Sequence, residues 1–271
     1  MKLVYAATLG LGSLAFGFEQ TPWVDFPYEF QLRTSFFESY YSAISDSYPF
    51  EAKYKNSFNE ELKLNIGVAT LSQVDFQIES EFFQSKATTF TLESIGFFVR
   101  SQVLDDVQGD WISATIGTSI RYVPDHALHD PFVPYHNLFN FEGNLALGKE
   151  FDEAFDWTKR GSVFFAVGIA TQSAAYIKFD GLFEFHRMSH LFGCFFKSYF
   201  GLGNKKQIDL AQFHGYGKYM HQSVDVGLCY KYLFDIYGAL SIEASYRFYA
   251  FAFPENETAI EIRYQLPFSV F

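Results

Sequence analysis

The sequence is poor in cysteine: Cys194 and Cys229 are its only two among 271 residues. A small exported domain stapled by disulfides carries more, so that scaffold is excluded. The two also fall on opposite faces of neighbouring predicted strands, which argues against a bond between them. Charge is scarce too. Asp, Glu, Lys and Arg make up 19% of the chain, against about 25% in an average domain. Bases are the scarcer sign, 20 against 31 acids, and the formal net charge is −11. With no Lys/Arg cluster, that balance excludes broad binding to a nucleic acid. Beyond the N-terminus no run reaches the roughly 18 apolar residues of a spanning helix, and no segment carries a helical period. Tryptophan is rare, at three residues, whereas Phe and Tyr are abundant, at 35 and 18.

The first residues, "MKLVYAATLGLGSLAFGF", read as a secretory signal. One early Lys precedes an apolar stretch from Leu3 to Phe16, and Ala15 and Gly17 are small residues at a peptidase-compatible spacing. Cleavage after Gly17 is expected, leaving 18–271 as a single exported domain.

What fills that domain is period-2 alternation. In "ELKLNIGVATL", Leu62, Leu64, Ile66 and Val68 oppose Lys63, Asn65 and Gly67. In "QVDFQIESEFF", Val74, Phe76 and Ile78 oppose Asp75, Gln77 and Glu79. The closing "AIEIRYQLPFSVF" sets Ile260, Ile262, Tyr264, Leu266 and Phe268 against Glu261, Arg263 and Gln265. The pattern recurs often enough for about twelve strands, with ten to fourteen compatible. Along residues 89–104 the phase slips, and a bulge near Glu93–Ser94 explains it.

Alternating strands have two solutions. A soluble sandwich turns its apolar face inward; an outer-membrane barrel turns it to lipid and its polar face to the lumen. Strands of about ten to thirteen residues suit a tilted bilayer crossing better than a soluble sheet. The polar faces carry acids at Asp75, Glu79, Glu81, Glu142, Asp180, Glu184, Asp225, Glu243 and Glu261. They carry bases at Arg33, Lys63, Arg100, Arg121, Lys178, Lys197, Lys231, Arg247 and Arg263. These lists balance, as a lumen of cross-strand ion pairs requires. The connections alternate short and long. Long ones fall near 39–60, 124–137 and 203–222, and short turns near 72–73, 105–110, 188–190 and 235–238. Residues 151–161 are an exception, longer than a periplasmic turn should be. Trp23, Trp111 and Trp157 are expected at the periplasmic rim. The fold class is therefore all-β: a transmembrane antiparallel up-and-down barrel, closed by its first and last strands.

A terminal Phe271 after an alternating strand resembles the assembly signal of Gram-negative outer-membrane proteins. That resemblance implies recognition of the last strand by the barrel-insertion machinery and residence in the outer membrane. Two features depart from it: Phe271 is out of phase with Phe268 and Tyr264, and Pro267 interrupts the ladder, so the strand is expected to end near Phe268. "MHQSVD" resembles the His-x-Ser-Asn core of outer-membrane phospholipases and lipid A deacylases through His221 and Ser223. Val224 stands where the Asn belongs, so a lipid hydrolase built on His221 and Ser223 ranks third, behind a channel and a structural barrel. In "PDHALHDPFVPYH", His126, His129 and His136 with Asp125 and Asp130 have metal-ligand chemistry. Nothing in their spacing fixes a geometry, and solvated loop histidines are expected there. No cofactor is implied.

Twelve strands lie between filled eight-stranded barrels and the aqueous channels of sixteen. The leading expectation is a porin-like channel for small solutes or ions, with Asp75, Glu79 and Glu81 as the first place to look for cation preference. The alternative is a structural barrel whose aromatic loop, residues 40–58, touches a surface partner or plugs the mouth. Other expected contacts are with outer-membrane lipid, and none with nucleic acid.

Overall fold

The computed structural model describes residues 21–24, 28–49, 51–70, 73–153, 157–234 and 237–269. The signal-like segment 1–17 and its cleavage site, and the terminal Phe271, lie outside the described residues. Twelve long strands are formed: β1 (Glu29–Tyr41), β2 (Ser57–Ala69), β3 (Val74–Gln84), β4 (Thr91–Leu104), β5 (Ser113–Tyr122) and β6 (Phe139–Glu153). They continue as β7 (Trp157–Ala170), β8 (Tyr176–Arg187), β9 (His190–Gly201), β10 (Gln222–Leu233), β11 (Ala239–Phe251) and β12 (Thr258–Ser269). Each pairs antiparallel with the next, and β1 pairs with β12 to close the barrel.

Closure follows from the demand that backbone groups facing hydrocarbon be paired without a free edge. β1 and β12 meet in register over Phe30↔Phe268, Leu32↔Leu266 and Phe36↔Ile262. The Phe30 and Phe268 rings stack at 5.4 Å. Pro267 is accommodated opposite Gln31, and the strand runs on to Ser269, one residue beyond the expected end.

The apolar parity points outward. Leu64, Ile66, Ile78, Phe97, Phe141, Phe165, Ile242 and Ile262 are all exposed on the outer wall, and Leu228 is 68% exposed. The polar parity is buried inside, as with Asn65, Gln77, Glu79 and Gln265. The bulge lies where the phase slip places it. Glu81 pairs with Ser94 and Phe82 with Leu92, so Glu93 is the extra residue and both Glu93 and Ser94 turn inward. Cys194 is exposed and Cys229 buried, and both are free thiols.

Two expectations about the short-turn end are corrected. Residues 151–161 are no long turn: β6 and β7 stay paired through Glu150↔Arg160 and Glu153↔Trp157, so 151–153 and 157–161 are strand. Arg160 on β7 forms an ion pair with Glu150 on β6. Trp23 is not at a lipid-facing rim. It is buried inside the barrel, its Nε1–H donating to Asp106 Oδ1 at 3.1 Å under the guanidinium of Arg160. Trp111, by contrast, is fully open at 77% exposure, and Trp157 meets Arg187 at 5.2 Å.

Candidate functional site

The site is the barrel interior, built from three layers. At the short-turn end the segment 21–24 folds into the lumen. Arg100 donates to the Thr21 carbonyl at 3.0 Å, and the Thr115 hydroxyl to the Pro22 carbonyl at 2.6 Å. Here Asp75 and Arg100 face each other across β3 and β4 at 2.9 Å, both almost fully buried.

The middle layer is a belt of ion pairs whose partners are set by strand register. Arg121 reaches back two strands to Glu79 at 2.6 Å and Glu81 at 2.7 Å. Lys63 meets Glu61 at 3.0 Å and Glu81 at 3.2 Å. Lys178 spans from β8 to Glu142 on β6 at 2.7 Å. Arg263 lies 2.7 Å from Glu261 and 3.5 Å from Glu243, which also faces Lys197 at 3.7 Å. Arg247 is held by Asp225 at 2.7 Å and Glu257 at 2.5 Å. Arg33, Lys231, Asp180 and Glu184 are buried on the same face. Asp180 accepts from the Ser198 amide at 3.3 Å, and Glu184 lies 3.5 Å from His186. The acids Asp75, Glu79 and Glu81 therefore all face a base. Glu61, Glu150, Arg160 and Glu257 join the interior without having been singled out in the sequence, as does Glu93, read there only as a bulge; the parity of Glu61 with Lys63 was signal enough to find it.

Two neighbouring cavities, of about 280 Å³ and 230 Å³, occupy this layer and share Lys63, Tyr135, Lys178 and Lys197 in their walls. Accessibility inside is uneven: three lysines are more open than the arginines Arg100, Arg121, Arg160, Arg247 and Arg263, at 2–19%, and than Asp225 and Glu150, at 20%. The side chains of Lys63, Lys178 and Lys197 are 32%, 36% and 40% exposed. The acids paired with them, Glu61, Glu81, Glu142 and Glu243, are 3–11% exposed.

The third layer is made by the loops of the opposite end. Residues 42–56, 123–138 and 202–221 converge on one apolar core with Tyr41, Tyr54, Val123, Leu128, Phe132, Val133, Ile208, Phe213, Tyr216 and Phe253. Short pairings tie them: Ser47–Tyr48 beside Ile208–Asp209, and Ala43–Ile44 beside Pro254–Glu255. The 123–138 loop dips furthest, with the Tyr135 hydroxyl donating to Glu81 Oε2 at 2.6 Å. Beneath it His136 and His221 meet Nε2 to Nε2 at 2.9 Å, enclosed by Tyr176, Tyr199, Tyr216 and Phe253. The aromatic loop 40–58 splits accordingly. Tyr41 and Tyr54 are buried in the core, while Tyr40, Tyr48 and Phe58 remain exposed.

The sequence-level histidine cluster separates into three places. His126 bonds the Thr91 hydroxyl and sits near the Leu92 carbonyl. His136 is in the buried pair, and Asp130 accepts from Ser85 and Thr88. Asp125 and His129 instead meet His214, a residue the sequence reading passed over. His221 is not a base for Ser223: its Nε2 is taken by His136 and its Nδ1 has no hydrogen-bond partner.

No protein-family model matches the chain, and no curated protein matches it in sequence. Solved structures do match in fold. An outer membrane channel from Pseudomonas putida F1 superposes with a TM-score of 0.56 at 10% identity, over 95% of this chain and 98% of that one. The NanC porin gives 0.53 at 12% identity, over 88% and 98%. The KdgM porin gives 0.52 at 10% identity, over 89% and 99%. The chain thus has the closed twelve-stranded fold of Gram-negative outer-membrane barrel proteins.

Proposed function

We propose that the protein is a porin-like channel of the outer membrane, passing small solutes with a preference for anions. The preference rests on the interior itself. Lys63, Lys178 and Lys197 are the most exposed of the ion-paired side chains in the shared cavity wall, while their carboxylate partners are recessed. A permeating ion meets the accessible charge first, in a confined space where fields are weakly screened. The cation preference expected from Asp75, Glu79 and Glu81 loses its basis, because Arg100, Arg121 and Lys63 neutralise them. The fold shared with the named porins supports the channel reading.

The test is reversal potential in a planar bilayer under a KCl gradient. Wild type is expected to conduct with chloride favoured over potassium. The double variant Lys178→Gln/Lys197→Gln should lose most of that preference while retaining its heat-modifiable gel shift. Cation preference in wild type, or selectivity unchanged in the variant, defeats the proposal.

One observation favours a second reading, a barrel that acts through surface contact. The three loops bury a continuous apolar core at one mouth and leave Tyr48 exposed, while Tyr40 and Phe58, paired at the ends of β1 and β2, face outward from the wall. A refolded barrel without conductance would select it. A lipid hydrolase built on His221 and Ser223 finds no support in their geometry, and Ser223→Ala should leave lipid turnover unchanged.

A further inference from the structure

The loops also bring together three side chains that the channel does not use. Asp125, His129 and His214 place one ligand atom each within 4.8 Å of one another, on the exposed surface of the loop layer. We infer that Asp125, His129 and His214 form a binding site for a divalent transition metal ion, Zn²⁺ foremost, that clamps the 123–138 loop to the 202–221 loop.

The backbone under the cluster is preorganised even though its side chains face water. His129 closes the 3₁₀ turn Ala127–His129, and its neighbours Leu128 and Asp130 are buried. His214 lies between Phe213, buried in the loop core, and Gly215, whose φ is +71°. The Gly215 amide donates to the Leu128 carbonyl at 2.7 Å, tying the two loops directly beneath the cluster. A Cβ at Gly215 would stand 2.7 Å from the His136 carbonyl, so this junction has little room to drift.

The tautomers fit a ligand set. His129 Nδ1 lies 2.9 Å from the Asp125 carbonyl oxygen. A carbonyl only accepts, so Nδ1 carries the proton and Nε2 offers its lone pair. That is how a ligating histidine is ordinarily held, its other N–H fixed by a carbonyl or carboxylate. His214 Nε2 lies 2.8 Å from Asp125 Oδ1, and its ring meets that of His129 edge-on with centroids 5.0 Å apart. A metal at this point replaces the proton shared by His214 and Asp125. His214 Nε2 then donates its lone pair to the ion, and the proton moves to Nδ1 or to solvent. Two imidazoles and one carboxylate suit Zn²⁺ with water completing the shell. Bonds of about 2.0–2.1 Å put tetrahedral donors roughly 3.3 Å apart, so the widest separations close by up to about 1.5 Å while the 2.8 Å His214–Asp125 contact opens by about 0.5 Å. Exposed side chains permit that. As an ion pair alone, at 40% and 71% exposure, His214 and Asp125 contribute little to stability.

The probe is Zn²⁺ itself, titrated into the full-length barrel refolded in detergent, against a chromophoric chelator. Co²⁺ serves as a spectroscopic stand-in. One ion per chain is expected, with the visible absorption of a four- or five-coordinate Co²⁺ site. His129→Gln and His214→Gln should each weaken binding by roughly 10-fold or more, and His126→Gln should not. Gel mobility and far-UV circular dichroism check that each variant is folded. Absence of saturable binding, or equal loss in the His126→Gln control, overturns the inference. Because binding is read without conductance, its failure is independent of the channel's.

Discussion

Arg100→Ala is expected to destabilise the barrel by about 3–5 kcal/mol, the cost of stripping one partner from a buried ion pair. Arg100 and Asp75 are 2% and 0% exposed. Their two hydrogen bonds, to Oδ1 at 3.4 Å and Oδ2 at 2.9 Å, make a fork that alanine removes entirely. Asp75 is then left ionised in a dry wall, or must take a proton. The same substitution releases the Thr21 carbonyl, so the segment 21–24 loses its hold on the lumen. The double variant Asp75→Leu/Arg100→Met should recover much of the loss, because a packed apolar pair needs no compensation. Urea unfolding in micelles, followed by the gel-mobility shift, reads both effects. A cost below about 1 kcal/mol for Arg100→Ala would mean that water reaches Asp75 and the pair is a surface bridge in effect.

The walls of the barrel were readable from sequence because each strand carries its own local record. Side chains alternate with period two, so Leu64 and Ile66 against Lys63 and Asn65 announces two faces before any partner is known. Even the bulge at Glu93 left a mark, since one inserted residue flips every later side chain. Which charge meets which is a different kind of information. Arg121 bridges to Glu79 and Glu81 from two strands away, and such a pairing depends on register and shear, which no single strand encodes. For that reason Asp75, Glu79 and Glu81 read from sequence as an acidic run, although each faces a base in the fold. The loop core was harder still. Tyr54, Leu128, Phe213 and Tyr216 lie in segments with no period, and an aromatic loop reads the same whether it folds inward or projects. Trp23 belongs with them. His214 escaped notice because its ligand partners are 85 or more positions away in sequence, and spacing rules see only neighbours.

Acid should loosen the loop layer, and the His136–His221 pair is where the proton acts. The Ala174 carbonyl lies 3.2 Å from His136 Nδ1, which therefore carries the hydrogen. His136 Nε2 then accepts, and His221 donates from its own Nε2 at 2.9 Å. Both rings are neutral in the folded state. Burial pushes His136 down to about 4, opposed by the Ala174 carbonyl and reinforced by Lys178. Burial holds His221 well below the ordinary histidine range, with His136 and Arg247 adding to it. The unfolded loop takes up a proton near pH 6.5 and the folded one only near 4. The stability this pair contributes is therefore complete above about 6.5 and lost as pH falls toward 4, by about 3 kcal/mol for His136. One proton places a cation among the rings of Tyr176, Tyr199, Tyr216 and Phe253; a second sets two N–H groups facing each other. Hydrogen exchange across 123–138 and 202–221 should accelerate steeply between pH 7 and 4.5, and conductance should rise as the mouth clears. The carboxylates of the wall are a second set of groups that acid can protonate, so the control is His136→Phe/His221→Phe, which keeps the aromatic packing and removes both bases. That variant should show a much flatter pH response. An acid response as steep as wild type's would place the sensor among the buried carboxylates instead.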